Sequence, residues 1–118
     1  MSRDYRQWLE DIAESCAKIL RFTSGMSYDE FVEDEKTYDA VVRNLEIIGE
    51  AAKNLPDDIR LKYPGIEWRK IAGLRDVIAH EYFGIDNDIL WDIIQNKVES
   101  LQQDVRGVME AENKVQQE

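Results

Sequence analysis

The chain has 118 residues, 43% hydrophobic and 34% charged, which suits one globular domain with a real core. Its formal net charge of −10 argues against broad nucleic-acid binding, because a phosphate backbone rewards clustered Lys and Arg. No apolar run approaches the roughly 18–20 residues of a membrane span and residues 1–6 carry no signal-peptide pattern, so no membrane association is expected. Cys16 is the only cysteine, so no internal disulfide can form, and a reducing cytoplasm is the expected compartment.

Tyr5, Trp8, Leu9, Ile12, Cys16, Ile19 and Leu20 recur at steps of three and four and predict a first helix with one apolar face. Cys16 lies on that stripe and reads as an inert core thiol. Thr23-Ser24-Gly25 ends the helix. Ser27 and Glu30 have the spacing of a capping box, so a second helix starts there, short and bending near residues 33–36. The third stripe is the most regular: Tyr38, Val41, Val42, Leu45, Ile48, Ala52 and Leu55. Gly49, Ala51 and Ala52 give this helix a small-residue surface that another helix could approach closely. Leu55-Pro56-Asp57-Asp58 stops it and opens a short turn with Pro56 at a helix start. Tyr63-Pro64-Gly65 is a turn. A helix over residues 67–82 turns Trp68, Ile71, Ala72, Leu74 and Ile78 inward. Asp86 caps a last helix with the stripe Leu90, Ile93, Ile94, Val98, Leu101, Val105 and Val108. Residues 111–118 form a polar tail expected to fray. No strand pattern, repeat or linker interrupts this reading. The expectation is an all-α protein: one domain over residues 1–110, built as an antiparallel four- to five-helix bundle.

The chemistry gathers at residues 75–82, Arg-Asp-Val-Ile-Ala-His-Glu-Tyr, which include the only histidine. His80 can exchange a proton near neutral pH. Arg75 offers a planar fork of donors to phosphate oxygens. Tyr82 carries a hydroxyl open to contact or modification. At about 100° per residue, Arg75 and Tyr82 fall within roughly 20° of each other on a helix, while His80 lies about 140° away. The three converge only if the helix ends near His80 or a second chain completes the site; Gly84 is a plausible stop. Each residue also has a plainer reading. A lone histidine near a helix end usually caps carbonyls, Arg75 alone is a surface ion-pair partner with Asp76 as its neighbouring charge, and Tyr82 alone closes the end of a core. Upstream, residues 60–75 hold Arg60, Lys62, Arg69, Lys70 and Arg75 against one acid, Glu67. This stretch reads either as a solvated basic face or as a phosphate-binding edge, with Arg69 and Lys70 as candidate contacts. There is no metal-ligand cluster, so neither metal nor other cofactor is expected.

Three segments carry a family resemblance: Asn-Leu-Glu-Ile-Ile-Gly-Glu-Ala-Ala-Lys at 44–53, Leu-Pro at 55–56, and Trp68-Arg-Lys-Ile-Ala-Gly-Leu74 running into the octapeptide. Over roughly residues 4–109 the chain resembles the HEPN domains, and among them the small HepT-type toxins. Arg75-x-x-x-x-His80 with Tyr82 is that branch's motif, and Asp76 supplies the polar residue after the arginine. The resemblance implies a helical homodimer with two motifs facing each other. It implies metal-independent cleavage of RNA by Arg75 and His80, supported by Asp76. It also implies a nucleotidyltransferase antitoxin as partner, which adenylylates the motif tyrosine, by position Tyr82.

The residues fit that expectation on chemical grounds. Metal-free RNA cleavage needs a base for the 2′-hydroxyl, an acid for the leaving 5′-oxygen and cations for the phosphorane. One histidine per chain does not easily supply both proton transfers, and a dimer would bring two. Glu46 and Glu50 are expected near the same groove, where helix packing explains them equally well. The alternatives are a non-catalytic nucleotide-binding or docking subunit of a nucleotidyltransferase, and a helical dimer with a structural role only.

Overall fold

Asp4 starts the first helix by accepting a hydrogen bond from the Arg6 amide, and α1 then runs Tyr5–Thr23 in the computed structural model, which describes residues 4–79 and 86–117. The Ser27–Glu30 capping box is formed in both directions, and it opens a short α2, Tyr28–Glu33. Asp34 closes α2 and caps α3, Glu35–Asn54, so the bend expected near residues 33–36 is a shared cap. Pro56 precedes the short α4, Asp57–Lys62. The described part of α5 spans Trp68–Ala79. Asp86 accepts from the amides of Asp88 and Ile89 and starts α6, Asn87–Asn96, which α7 follows at Val98–Gln117. The described residues form these seven helices and no strand, which is the all-α fold expected from the periodicities. None of the helices is long and apolar enough to cross a membrane.

The predicted stripes explain the packing. α1 lies between α3 and α7, and α3 lies between α1 and α5. Leu9, Ile12, Cys16 and Ile19 of α1 meet Val41, Leu45, Ile48 and Ala52 of α3, and Val98, Val105 and Val108 of α7 close the same core. Burial pushes the Cys16 thiol up to about 12, as an inert core thiol requires. Phe31 pins α2 between Tyr38 of α3 and Trp91 of α6, with both ring centroids at 5.3 Å.

Two features of the stripes differ from expectation. The last helix is broken: Lys97 leaves helical geometry at φ −121°, and no glycine or proline marks the spot. On α5, Trp68 is buried, but Ile71, Leu74 and Ile78 are only half-buried. Ile71 and Leu74 line an open apolar cleft of about 380 Å³ shared with Ile93, Val98 and Leu101.

At the C-terminal end α7 runs to Gln117, and Glu112 is only 6% exposed. Its carboxylate accepts from the Tyr63 hydroxyl at 2.5 Å and the Tyr5 hydroxyl at 3.4 Å, and it pairs with Lys62 Nζ at 2.9 Å. One carboxylate thereby ties the end of α7 to the start of α1 and the end of α4. Hydrogen bonds from Lys62 and then Tyr63 hold the Glu112 carboxyl below its ordinary range, against the opposing effect of burial. The bond to Glu112 raises Lys62. A carboxylate depressed in the folded state adds stability that is present above its unfolded pKa and is lost as pH falls through the folded value. The raised Lys62 adds stability that is present below its unfolded pKa and is lost as pH rises through its folded value. Glu112→Gln should therefore weaken the fold at pH 7 by about 0.5–1 kcal/mol, since the half-exposed lysine is partly screened. The deficit should shrink as both proteins are acidified below about pH 4, a comparison that urea melts at pH 3 and pH 7 make directly. A deficit unchanged by pH would remove the assignment.

Candidate active site

Gly49 decides where α5 sits. A Cβ at this position would lie 2.9 Å from the Arg75 backbone nitrogen and 3.0 Å from the Arg75 Cβ, so only a residue without a side chain lets the two helices approach this closely. The small-residue surface read from the sequence is thus the seat of α5, and Arg75 is the residue brought against it.

From there the Arg75 side chain reaches a cleft of about 460 Å³, lined by Trp8 and Asp11 of α1 and by Arg43, Glu46, Ile47 and Glu50 of α3. Arg75 Nη1 lies 2.6 Å from Glu50 Oε2. That oxygen is buried, and the ion pair with Arg75 is the contact that compensates its charge among the described residues. Asn54 Nδ2 donates to the other oxygen, Glu50 Oε1, at 3.1 Å and to the Glu50 backbone carbonyl at 2.8 Å. Glu46 pairs instead with Arg43 at 3.6 Å, one helical turn away on α3. Among the described residues, three carboxylates and two guanidinium groups line the cleft.

The basic stretch 60–75 is not a free cationic edge. Four of its five cations have carboxylate partners: Arg60 with Asp57, Lys62 with Glu112, Lys70 with Glu67 and Arg75 with Glu50. Arg69 and Lys70, the candidate phosphate contacts, do not line the Arg75 cleft. On α5 they stand about 120° and 140° around the axis from Arg75, and Lys70 borders the apolar cleft instead. Asp76 is exposed and has no ion-pair partner among the described residues.

His80 and Tyr82 lie outside the described residues. Their two flanks are both attached to α3. Arg75 is seated at Gly49, and beyond the segment Asn87 Oδ1 accepts from the Tyr38 hydroxyl at 2.6 Å. Those anchor points are eleven residues apart on α3, about 16 Å along its axis.

The sequence reading missed Trp8, Asp11 and Arg43 as cleft residues. A signal was present: Arg43, Glu46, Ile47 and Glu50 recur at helical spacing beside the apolar stripe of α3. Trp8 lies on the α1 stripe and packs in part against the core, so its place in the cleft has no separate signal.

Comparison with known proteins adds an independent line. A family model described as Ribonuclease HepT-like matches residues 12–108. A protein of Methanocaldococcus jannaschii named "Putative RNase MJ0127" is 52% identical over 96 residues, covering 81% of this chain and 79% of its own. The "Probable ribonuclease HepT" of Thermococcus cleftensis is 45% identical over 101 residues, covering 86% of this chain and 92% of its own. A third, "Putative RNase TTE0752" of Caldanaerobacter subterraneus, is 40% identical over 107 residues, covering 91% and 96%. No solved structure gives a significant match.

Proposed function

The chain belongs to the HepT-like ribonuclease family, and on that premise we propose that it is the toxin of a toxin–antitoxin pair, an endoribonuclease of the cytoplasm silenced by a nucleotidyltransferase. The observation that carries the reading is Arg75, presented at the mouth of a cleft by a helix contact that Gly49 makes possible.

The reaction proceeds in a homodimer, where two copies of Arg75 and His80 share one RNA-binding groove. One His80 takes the proton of the ribose 2′-hydroxyl as its oxygen attacks the adjacent phosphorus. The other His80 gives a proton to the departing 5′-oxygen. The two Arg75 guanidinium groups stabilise the phosphorane. The bond from phosphorus to the 5′-oxygen breaks, leaving a 2′,3′-cyclic phosphate and a 5′-hydroxyl. This scheme assigns both proton transfers and the charge stabilisation to side chains, so it asks for no metal. Asp76, beside Arg75, is assigned to orienting the motif. Tyr82 is the control point. Its hydroxyl attacks the α-phosphorus of ATP on the partner enzyme and releases pyrophosphate. The attached AMP sets a negative charge and a bulky base beside Arg75, where RNA phosphate must bind.

Purified protein incubated with total RNA should generate cyclic-phosphate ends in the presence of EDTA, and the protein should sediment at about twice 13.8 kDa. With the nucleotidyltransferase and ATP, intact-mass spectrometry should show AMP-sized additions on the wild type and none on Tyr82→Phe. Cleavage that stops with EDTA would overturn the mechanism. AMP addition by a protein that never cuts RNA would instead identify a non-catalytic docking subunit.

A further inference from the structure

We infer that Glu50 is a positioning residue for Arg75, and that Asn54 holds Glu50 in turn, so that the guanidinium is oriented before RNA arrives; this rests on the ribonuclease reading above. The chain of contacts runs in one direction. Asn54 Nδ2 bonds Glu50 Oε1 at 3.1 Å, and Glu50 Oε2 lies 2.6 Å from Arg75 Nη1. Glu50 is the carboxylate assigned to this task, since Glu46, one turn earlier, is engaged by Arg43.

The pair has the properties an orienting contact needs. Both side chains are close to half exposed, at 45% for Arg75 and 44% for Glu50, so the pair adds little to fold stability. Yet the oxygen that meets Arg75 is itself buried, which limits screening of that one contact. An arginine side chain free in solvent must lose its rotamer freedom when it meets a phosphate. Here the ion pair removes that freedom in advance. A guanidinium has five N–H donors, and the Glu50 contact is made through Nη1, so others remain for phosphate oxygens.

Glu50 also places a negative charge where RNA phosphate must come. It should therefore weaken ground-state binding while raising the rate of the bound complex, an uneven split that a merely structural residue would not produce. In single-turnover cleavage, Glu50→Ala should lower kcat by about 10- to 100-fold while KM stays level or falls. Glu50→Gln, which keeps the shape and an acceptor, should recover part of the rate. Asn54→Ala should lose less, in the same sense. In NMR spectra the Arg75 Nε–Hε resonance should be distinct in the wild type and move to the position of free arginine in Glu50→Ala. If Arg75→Ala abolishes cleavage but Glu50→Ala keeps the wild-type kcat, the positioning role is overturned and the ribonuclease reading stands. If the wild type cuts no RNA, the ribonuclease reading falls, and an unmoved Arg75 resonance in Glu50→Ala would overturn the pairing as well.

Discussion

Arg75→Ala should lower the rate of RNA cleavage by about 10²–10³, the usual loss when one fixed donor to a developing oxyanion is removed. The fold should barely notice, because the side chain is 45% exposed and surface ion pairs are worth about 0–1 kcal/mol. The variant also removes one of the two guanidinium groups that line the cleft among the described residues, so RNA affinity should fall at low ionic strength. Arg75→Lys keeps the charge but loses the planar fork, and should recover only part of the rate. His80→Ala should lose about 10²–10⁴, the worth of general acid–base catalysis. A mixed dimer of wild-type and His80→Ala chains should lose well over half its activity if each reaction uses both histidines. Cleavage rates measured beside thermal melts separate these outcomes, and a folded Arg75→Ala that cuts at the wild-type rate would remove Arg75 from the mechanism.

Gly49→Leu should damage fold and activity together. Gly49 lies inside α3, where a glycine costs a helix about 1 kcal/mol relative to alanine, so substitution gains on local propensity. Sterics work against that gain. The new Cβ would stand 2.9 Å from a backbone nitrogen of α5, an atom that cannot rotate away. Overpacking of this kind costs about 1–3 kcal/mol. It outweighs the gain for leucine and roughly matches it for alanine. Relief requires α5 to move outward, carrying Arg75 with it, and a displacement of about 1 Å can cost 10²-fold in rate. Gly73→Ala is the internal control. Gly73 sits on α5, and a Cβ there meets nothing within 4 Å, so the change should stabilise by up to about 1 kcal/mol. Opposite shifts in melting temperature for Gly49→Leu and Gly73→Ala would confirm that the helix contact, not glycine content, sets the effect.

Much of this architecture was legible along the chain. The Ser27–Glu30 box, the Asp86 cap, the Pro56 start and the stripes of α1 and α3 all appear where the sequence places them. Gly49 was readable as a close-approach position because small residues cluster beside a regular apolar stripe. Arg75 was readable as a candidate because arginine, the lone histidine and a tyrosine stand in one octapeptide. Other features were not legible. Glu112 anchors α7 through groups 49 and 107 residues away, which no local pattern announces. The break at Lys97 has no glycine or proline beside it to announce it.

By itself the sequence determined the helices, their caps and the faces they bury, since these depend on spacings of three and four residues that the chain carries locally. The tertiary structure decided the electrostatics. Residues 60–75 read as a positive run, but Glu50 and Glu112 come from other helices to meet Arg75 and Lys62. It also decided which charges share a cleft, setting Arg75 beside Trp8, Asp11, Arg43 and Glu46 while Arg69 and Lys70 turn away. The physical reason is range. Helix formation is read within a turn or two of the chain, whereas an ion pair depends on two helix surfaces approaching within a few ångströms, and here a single missing Cβ at Gly49 sets that distance.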